Sequence, residues 1–192
     1  MPAAGAMATV AGMPGEAITL GAVTRTGRAI IIAIRADPAA PSFAGRWKIT
    51  LVPGGLPDQP YHAATADPGD AARLVGEVEQ AVERAAVAAL TRAAAGRAVL
   101  GIAVVAKPVS APADVASVLR SHAWMHAAEG ALYREGVLAA GQQLGWHARA
   151  VDAAALRAED DFVAAIGAAA GRPWRRAEKD AVRAALTLLP EV

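Results

Sequence analysis

Residues Ile18 to Ile34 read I-T-L-G-A-V-T-R-T-G-R-A-I-I-I-A-I, two runs rich in aliphatic and β-branched residues around Thr24-Arg25-Thr26-Gly27. Such runs about a glycine-containing break predict a β-hairpin. Pro38 and Pro41 close it, because proline cannot donate to a strand ladder. Further on, Arg46 to Val52 (R-W-K-I-T-L-V) alternates polar and apolar residues, a third strand, and Pro53-Gly54-Gly55 stops it. From Asp70 to about Ala95 the apolar residues Leu74, Val75, Val78, Val82, Ala86 and Leu90 recur on one helical face, with Asp70 as N-cap and Gly96 as the C′ residue. Ala98 to Ala106 (A-V-L-G-I-A-V-V-A) is continuously apolar, as a strand buried on both faces must be. Helical sequence then opens at Ser110 or Asp114 and reaches Leu144, in one piece or two, closed by Gly145. His147 to Val151 is a short strand. Two further helices, near Ala153 to Ala170 and Ala177 to Leu189, flank the turn Gly171-Arg172-Pro173-Trp174.

Composition narrows the classes. With 192 residues, 55% apolar but only 4% aromatic, the chain is long enough for a substantial core, and that core has to be built from Ala, Val, Leu and Ile. A net charge of +1 argues neither for a strongly electrostatic nucleic-acid binder nor against a local basic groove. The absence of cysteine excludes a disulfide framework, a thiolate nucleophile and a cysteine zinc site, and it suits a reducing cytoplasm. No apolar run approaches the roughly 18 residues that a membrane span needs. Met1 to Gly15 lacks the basic start of a signal peptide and is expected to be a disordered tail, with Met7 and Met13 as alternative starts. Residues 16–192 are expected to form one domain.

The expected order is therefore β-β-β-α-β-α-β-α, an α/β mixed five-stranded sheet with helices on both faces. In that order, and in three local stretches, the chain resembles the ribonuclease H-like superfamily, and within it the Holliday-junction resolvases (RuvC-like). The stretches are Leu20-Gly21 on the opening strand, the helix and strand of Ala131 to Val151 around Leu144-Gly145, and Ala177-Glu178-Lys179-Asp180-Ala181-Val182 leading to Leu188-Leu189-Pro190. The resemblance implies a two-metal nuclease with carboxylates on the first strand, the fourth strand and the last helix, which clamp the attacking and leaving oxygens of a phosphodiester. This chain departs from that pattern. Val23 and Thr24 occupy the first strand where an Asp is expected, Ala98 to Ala106 has no acid, and Asp180 is the only acid near the right place. The reading is a nucleic-acid-associated protein of this fold that lacks the catalytic acids, as a homodimer or with a protein partner. A metal-dependent hydrolase and a protein-interaction subunit are the alternatives, so whether the chain is an enzyme stays open.

The residues that keep the enzyme reading alive lie between Leu119 and Glu135, L-R-S-H-A-W-M-H-A-A-E-G-A-L-Y-R-E. On a helix His122, His126, Glu129 and Tyr133 fall on one narrow stripe. His122, His126 and Glu129 can place three donors around one divalent ion, a two-histidine, one-carboxylate set suited to Zn²⁺ or Fe²⁺. The same four residues can instead form a polar seam in which Glu129 orients a histidine and Tyr133 makes a structural hydrogen bond. Lys107, at the end of the fourth strand, can meet a phosphate. Arg172, Trp174, Arg175 and Arg176 combine guanidinium groups with an aromatic and suit phosphate binding and base stacking, or a helix-start turn anchored by a buried Trp. Glu159-Asp160-Asp161 reads as a charged first helical turn, and Ser121 beside His122 does not face it on a helix. No P-loop, dinucleotide fingerprint or G-x-S-x-G motif occurs.

Overall fold

The computed structural model describes residues 17–107, 110–156 and 160–190. Its elements run β1 (Ile18–Arg25), β2 (Arg28–Arg35), β3 (Ser42–Thr50), α1 (Pro60–Ala64), α2 (Ala71–Ala94), β4 (Val99–Ala106), α3 (Val115–Val118), α4 (His122–Gln143), β5 (His147–Asp152), α5 (Asp160–Ala170) and α6 (Arg176–Leu186). The expected tail of residues 1–15, with Met7 and Met13, lies outside the described residues, as does Glu159. Among those described, no helix is long and apolar enough to cross a membrane.

The strands form one sheet in the order β3-β2-β1-β4-β5. β1, β2 and β3 are an antiparallel meander, whereas β4 pairs parallel to β1 on one side and to β5 on the other. The hairpin turn tightens to Thr26-Gly27, where Gly27 takes φ 67°, a left-handed conformation that glycine adopts without a Cβ clash. The interior position of β4 explains its unbroken apolar run: Ile102, Ala103 and Val104 are fully buried.

Alternation along the strands divides the core in two. Ile18, Leu20, Ala22, Ile31, Ala33, Ile102 and Val104 face α2 and α4 and pack on Val78, Val82, Leu90, Leu132 and Val137. Ile32 and Ile34 face the other way, onto Val163, Ile166, Ala181, Val182 and Ala185 of α5 and α6. On that second face α6 lies directly against β1. A Cβ built on Gly21 would sit 1.7 Å from the Ala181 carbonyl oxygen, and the buried Thr19 hydroxyl donates to the Ala185 carbonyl at 3.0 Å.

Several boundaries differ from the sequence reading. β3 starts at Ser42, ahead of Arg46, because Ser42 and Phe43 still pair with Arg35 and Ile34 past a register shift, and that irregularity hides the alternation. The helical stretch after β4 divides into α3, capped by the Asp114 carboxylate accepting from the Ser117 amide at 2.8 Å, and α4. Asp70 occupies the N-cap position of α2, as expected, but its carboxylate makes no capping bond and is taken by the Arg73 guanidinium, with one bond at 2.7 Å. Ala153 to Ala155 do not open the fifth helix, which among the described residues covers Asp160–Ala170; Asp152 accepts from the Ala154 amide at 2.9 Å and holds a turn there. α1 is an element the sequence reading did not contain; Pro60 sits in its first turn, where a missing N–H costs nothing.

Candidate functional site

The stripe on α4 is there, but its members do different things. His122 and His126 are exposed on the first turns of the helix, while Glu129 and Tyr133, further along, are buried under the segment leading into α1 and under α1 itself. That segment supplies the residue that sequence reasoning missed. His62 on α1 donates from Nδ1 to Glu129 Oε1 at 2.8 Å, and its backbone N–H reaches the same oxygen at 3.3 Å. The three imidazoles then cluster: ring centroids are 5.1 Å apart for His62 and His122, 4.6 Å for His62 and His126, and 4.4 Å for His122 and His126. Each ring offers a nitrogen, and those three nitrogens lie within 4.8 Å of one another.

Glu129 turns inward, with one oxygen on His62 Nδ1 and the second 3.9 Å from His126 Nδ1. Tyr133 makes the structural hydrogen bond of the seam reading, its hydroxyl donating to the Asp58 carbonyl. Burial pushes the Tyr133 phenol up to about 12, with the negative charges of Asp58 and Glu129 adding to it. Tyr61 is raised as well, first by burial and then by Glu79 and Glu129. The signal for His62 in the sequence was slight: a Pro-Tyr-His after a turn, with no periodicity to place it beside α4.

A second feature adjoins the cluster. At the carboxyl ends of β1 and β4 a cavity of about 470 Å³ opens, lined by Val23, Thr24 and Arg25 of β1, Val105, Ala106 and Lys107 of β4, His126, Gly130 and Arg134 of α4, and Arg176, Ala177 and Asp180 of α6. In open α/β sheets this end of parallel strands is where ligands bind. Its lining is cationic. Asp180 is the one carboxylate among those residues, and it is occupied by Arg176 at 3.5 Å and Arg183 at 3.4 Å. The carboxylate set that holds two Mg²⁺ ions needs several oxygen donors; among the described residues the ends of β1 and β4 offer valine, threonine and alanine, and those residues do not fit that pair of ions.

Of the residues expected to contact nucleic acid, Lys107 and Arg176 line this cavity. Arg175 lines a smaller neighbouring one of about 250 Å³, with Lys48, Arg25 and Arg176, so the two share a basic rim. Arg172 is exposed beside them. Trp174 is half-buried: its indole lies over Gly167, where an added Cβ would meet the ring nitrogen at 2.4 Å, and packs on the second core cluster. This is the anchored helix-start turn. Arg46 of β3 fixes the same turn, donating to the carbonyls of Gly171 at 3.2 Å, Arg172 at 3.3 Å and Pro173 at 2.7 Å. Arg25, Lys48 and Arg134 were not singled out from sequence, since isolated cations carry no local pattern.

The fold is similar to that of Thermus thermophilus RuvC in complex with a Holliday junction substrate, with 14% sequence identity, a TM-score of 0.50, and 88% of this chain and 90% of that chain covered. A second structure of T. thermophilus RuvC aligns at 13% identity and a TM-score of 0.49, covering 88% of this chain and 92% of that one. No family model matches the chain, and no curated protein matches it. The protein has a RuvC-like, ribonuclease H-like fold.

Proposed function

We propose that this protein binds nucleic acid, DNA in the first instance, in the cationic cleft at the carboxyl ends of β1 and β4, and that it does so without the two-metal nuclease activity of its fold. The observation that carries this reading is the lining of the cleft: among the described residues, Arg25, Lys107, Arg134 and Arg176 surround a single carboxylate, Asp180, already paired with two arginines. A site walled in this way attracts phosphate oxygens and has no surplus negative charge to hold hard cations. The RuvC structure of the same fold is a complex with a Holliday junction, which supports DNA as the ligand class.

In this reading the protein works by position and charge. Arg25 on β1 and Arg176 on α6 are shared by both cavities, so a backbone running along the rim meets cations in sequence from Lys107 to Lys48. Phosphate contacts of this kind fix register and orientation and carry little base specificity.

Fluorescence anisotropy with a labelled four-way junction and a labelled duplex tests it. Binding should weaken steeply with salt, and the double variant Arg25→Glu, Arg176→Glu should lose at least tenfold in affinity and flatten the salt slope by about one unit per phosphate contact removed. Incubation with Mg²⁺ or Mn²⁺ should leave the junction intact. Unchanged affinity in the double variant would remove the cleft from consideration, and metal-dependent cleavage abolished by Asp180→Asn would restore a nuclease.

A further inference from the structure

The histidine cluster is not explained by the cationic cleft. We infer that His62, His122 and His126 form a binding site for one divalent transition-metal ion of the Zn²⁺ class, with Glu129 as the residue that positions His62. Three of the chain's four histidines meet here, brought from α1 and from two turns of α4. The donor set is all imidazole nitrogen, which favours Zn²⁺ and its neighbours over Mg²⁺ or Ca²⁺.

The protonation pattern of His62 points the same way. Glu129 is a buried carboxylate that accepts from Nδ1 at 2.8 Å, so the proton of a neutral ring sits on Nδ1 and the lone pair on Nε2. That Nε2 is itself buried and has no hydrogen-bond partner in the structure. A buried acceptor left unpaired is costly, and a metal ion would satisfy it. Carboxylate behind histidine, histidine behind metal is the outer-shell arrangement that fixes the tautomer and raises ligand basicity. A purely structural seam does not need His122 and His126 against His62, and it would not leave Nε2 bare.

Tetrahedral coordination with Zn–N near 2.0–2.1 Å requires nitrogens about 3.3 Å apart, and the three nitrogens already lie within 4.8 Å. His122 and His126 are exposed, so modest rotation of these two rings closes the set on His62, which Glu129 holds in place. Three protein ligands leave a fourth position for water or an anionic oxygen, the form of an open site. His126 also lines the cationic cleft, which puts that position at the rim where a phosphate would lie.

Titration of the full chain, free of any polyhistidine tag, with Zn²⁺ against a chromophoric chelator tests this without any nucleic acid. One equivalent should bind in the micromolar range or tighter. His126→Ala and His122→Ala, at exposed positions, should each weaken binding at least 100-fold, while His147→Ala, the histidine outside the cluster, should leave it unchanged. Glu129→Gln should weaken it 10- to 100-fold. Loading with Co²⁺ should give the intense visible bands of four-coordinate cobalt, lost in His126→Ala, and circular dichroism of each variant checks that it is folded. No Zn²⁺ uptake by the wild type, or uptake that survives both exposed-histidine variants, would overturn the inference.

Discussion

On one face of the sheet α2 and α4 stand off on a thick layer of Ile, Leu and Val side chains; on the other, α6 lies on the backbone of β1, over Gly21 and the Thr19 hydroxyl. The thick face has room for polar groups inside it, and there Glu129 and Tyr133 are buried with partners and the three histidines gather at its edge. The thin face buries polar groups only where α6 itself meets them, the Thr19 hydroxyl on the Ala185 carbonyl and Glu178 on the Arg175 amide, and what it gives the molecule is placement. By seating α6 close to β1 it brings Arg176 and Asp180 to the ends of β1 and β4, where the cleft forms. The cluster thus depends on side chains packed around it, and the cleft on one helix-to-strand distance.

The harshest way to break this comparison is at the strand both faces share. Val104 is fully buried in β4, so Val104→Asp places an unpaired carboxylate in the core at a cost of several kcal/mol; the thermal transition should disappear, and a normal melt would mean that β4 is not interior. Next in size is Gly21→Val. With the Ala181 carbonyl 1.7 Å from the first added carbon, α6 has to move, and we expect a loss of about 3 kcal/mol in chemical denaturation, with affinity for DNA falling and Zn²⁺ binding kept. If both fell together, the two sites would not be separable by face.

A smaller effect sharpens the account of the thick face. Burial raises the Tyr133 phenol from 10.0 to about 12, so the folded state favours its neutral form. The stability this adds is fully present below pH 10 and is lost as the pH climbs through 12. Denaturation midpoints should fall over that alkaline window, and Tyr133→Phe should lose about 1 kcal/mol at neutral pH and show a weaker alkaline fall. Smallest of all is Gly76→Ala on α2, where an added Cβ meets nothing within 4 Å; a gain of about 0.5–1 kcal/mol is expected, opposite in sign to the change at Gly21.

The elements that were legible in the sequence are those whose burial repeats along the chain. β1, β2 and β4 announce themselves by aliphatic runs, and α2 by its apolar stripe, because each buries a face at a fixed period. α1 has five residues, too few for any period, and with it went His62. The stripe on α4 was visible, but a histidine 67 positions before Glu129 in sequence can be matched to it only in three dimensions. The same holds for Arg25, Lys48 and Arg134, whose convergence on the cleft is a property of the sheet order. Trp174 was readable as an anchor or as a stacking surface, and the anchoring contact, with Gly167 beneath the ring, is visible only in three dimensions.

The contact between Thr19 and Ala185 spans 166 residues, and this has a consequence for the order of events in a cell. β1 is made 166 residues ahead of its partner across the thin face, so during synthesis the Gly21 surface of β1 waits uncovered while everything between is translated. Contacts of such long sequence separation are slow to form, since loop closure is paid before they reward it. The α2–α4 layer and its histidines can assemble on the ribosome first. The cleft cannot, because its α6 wall, with Arg176 and Asp180, seats on β1 only after residue 185 has been made.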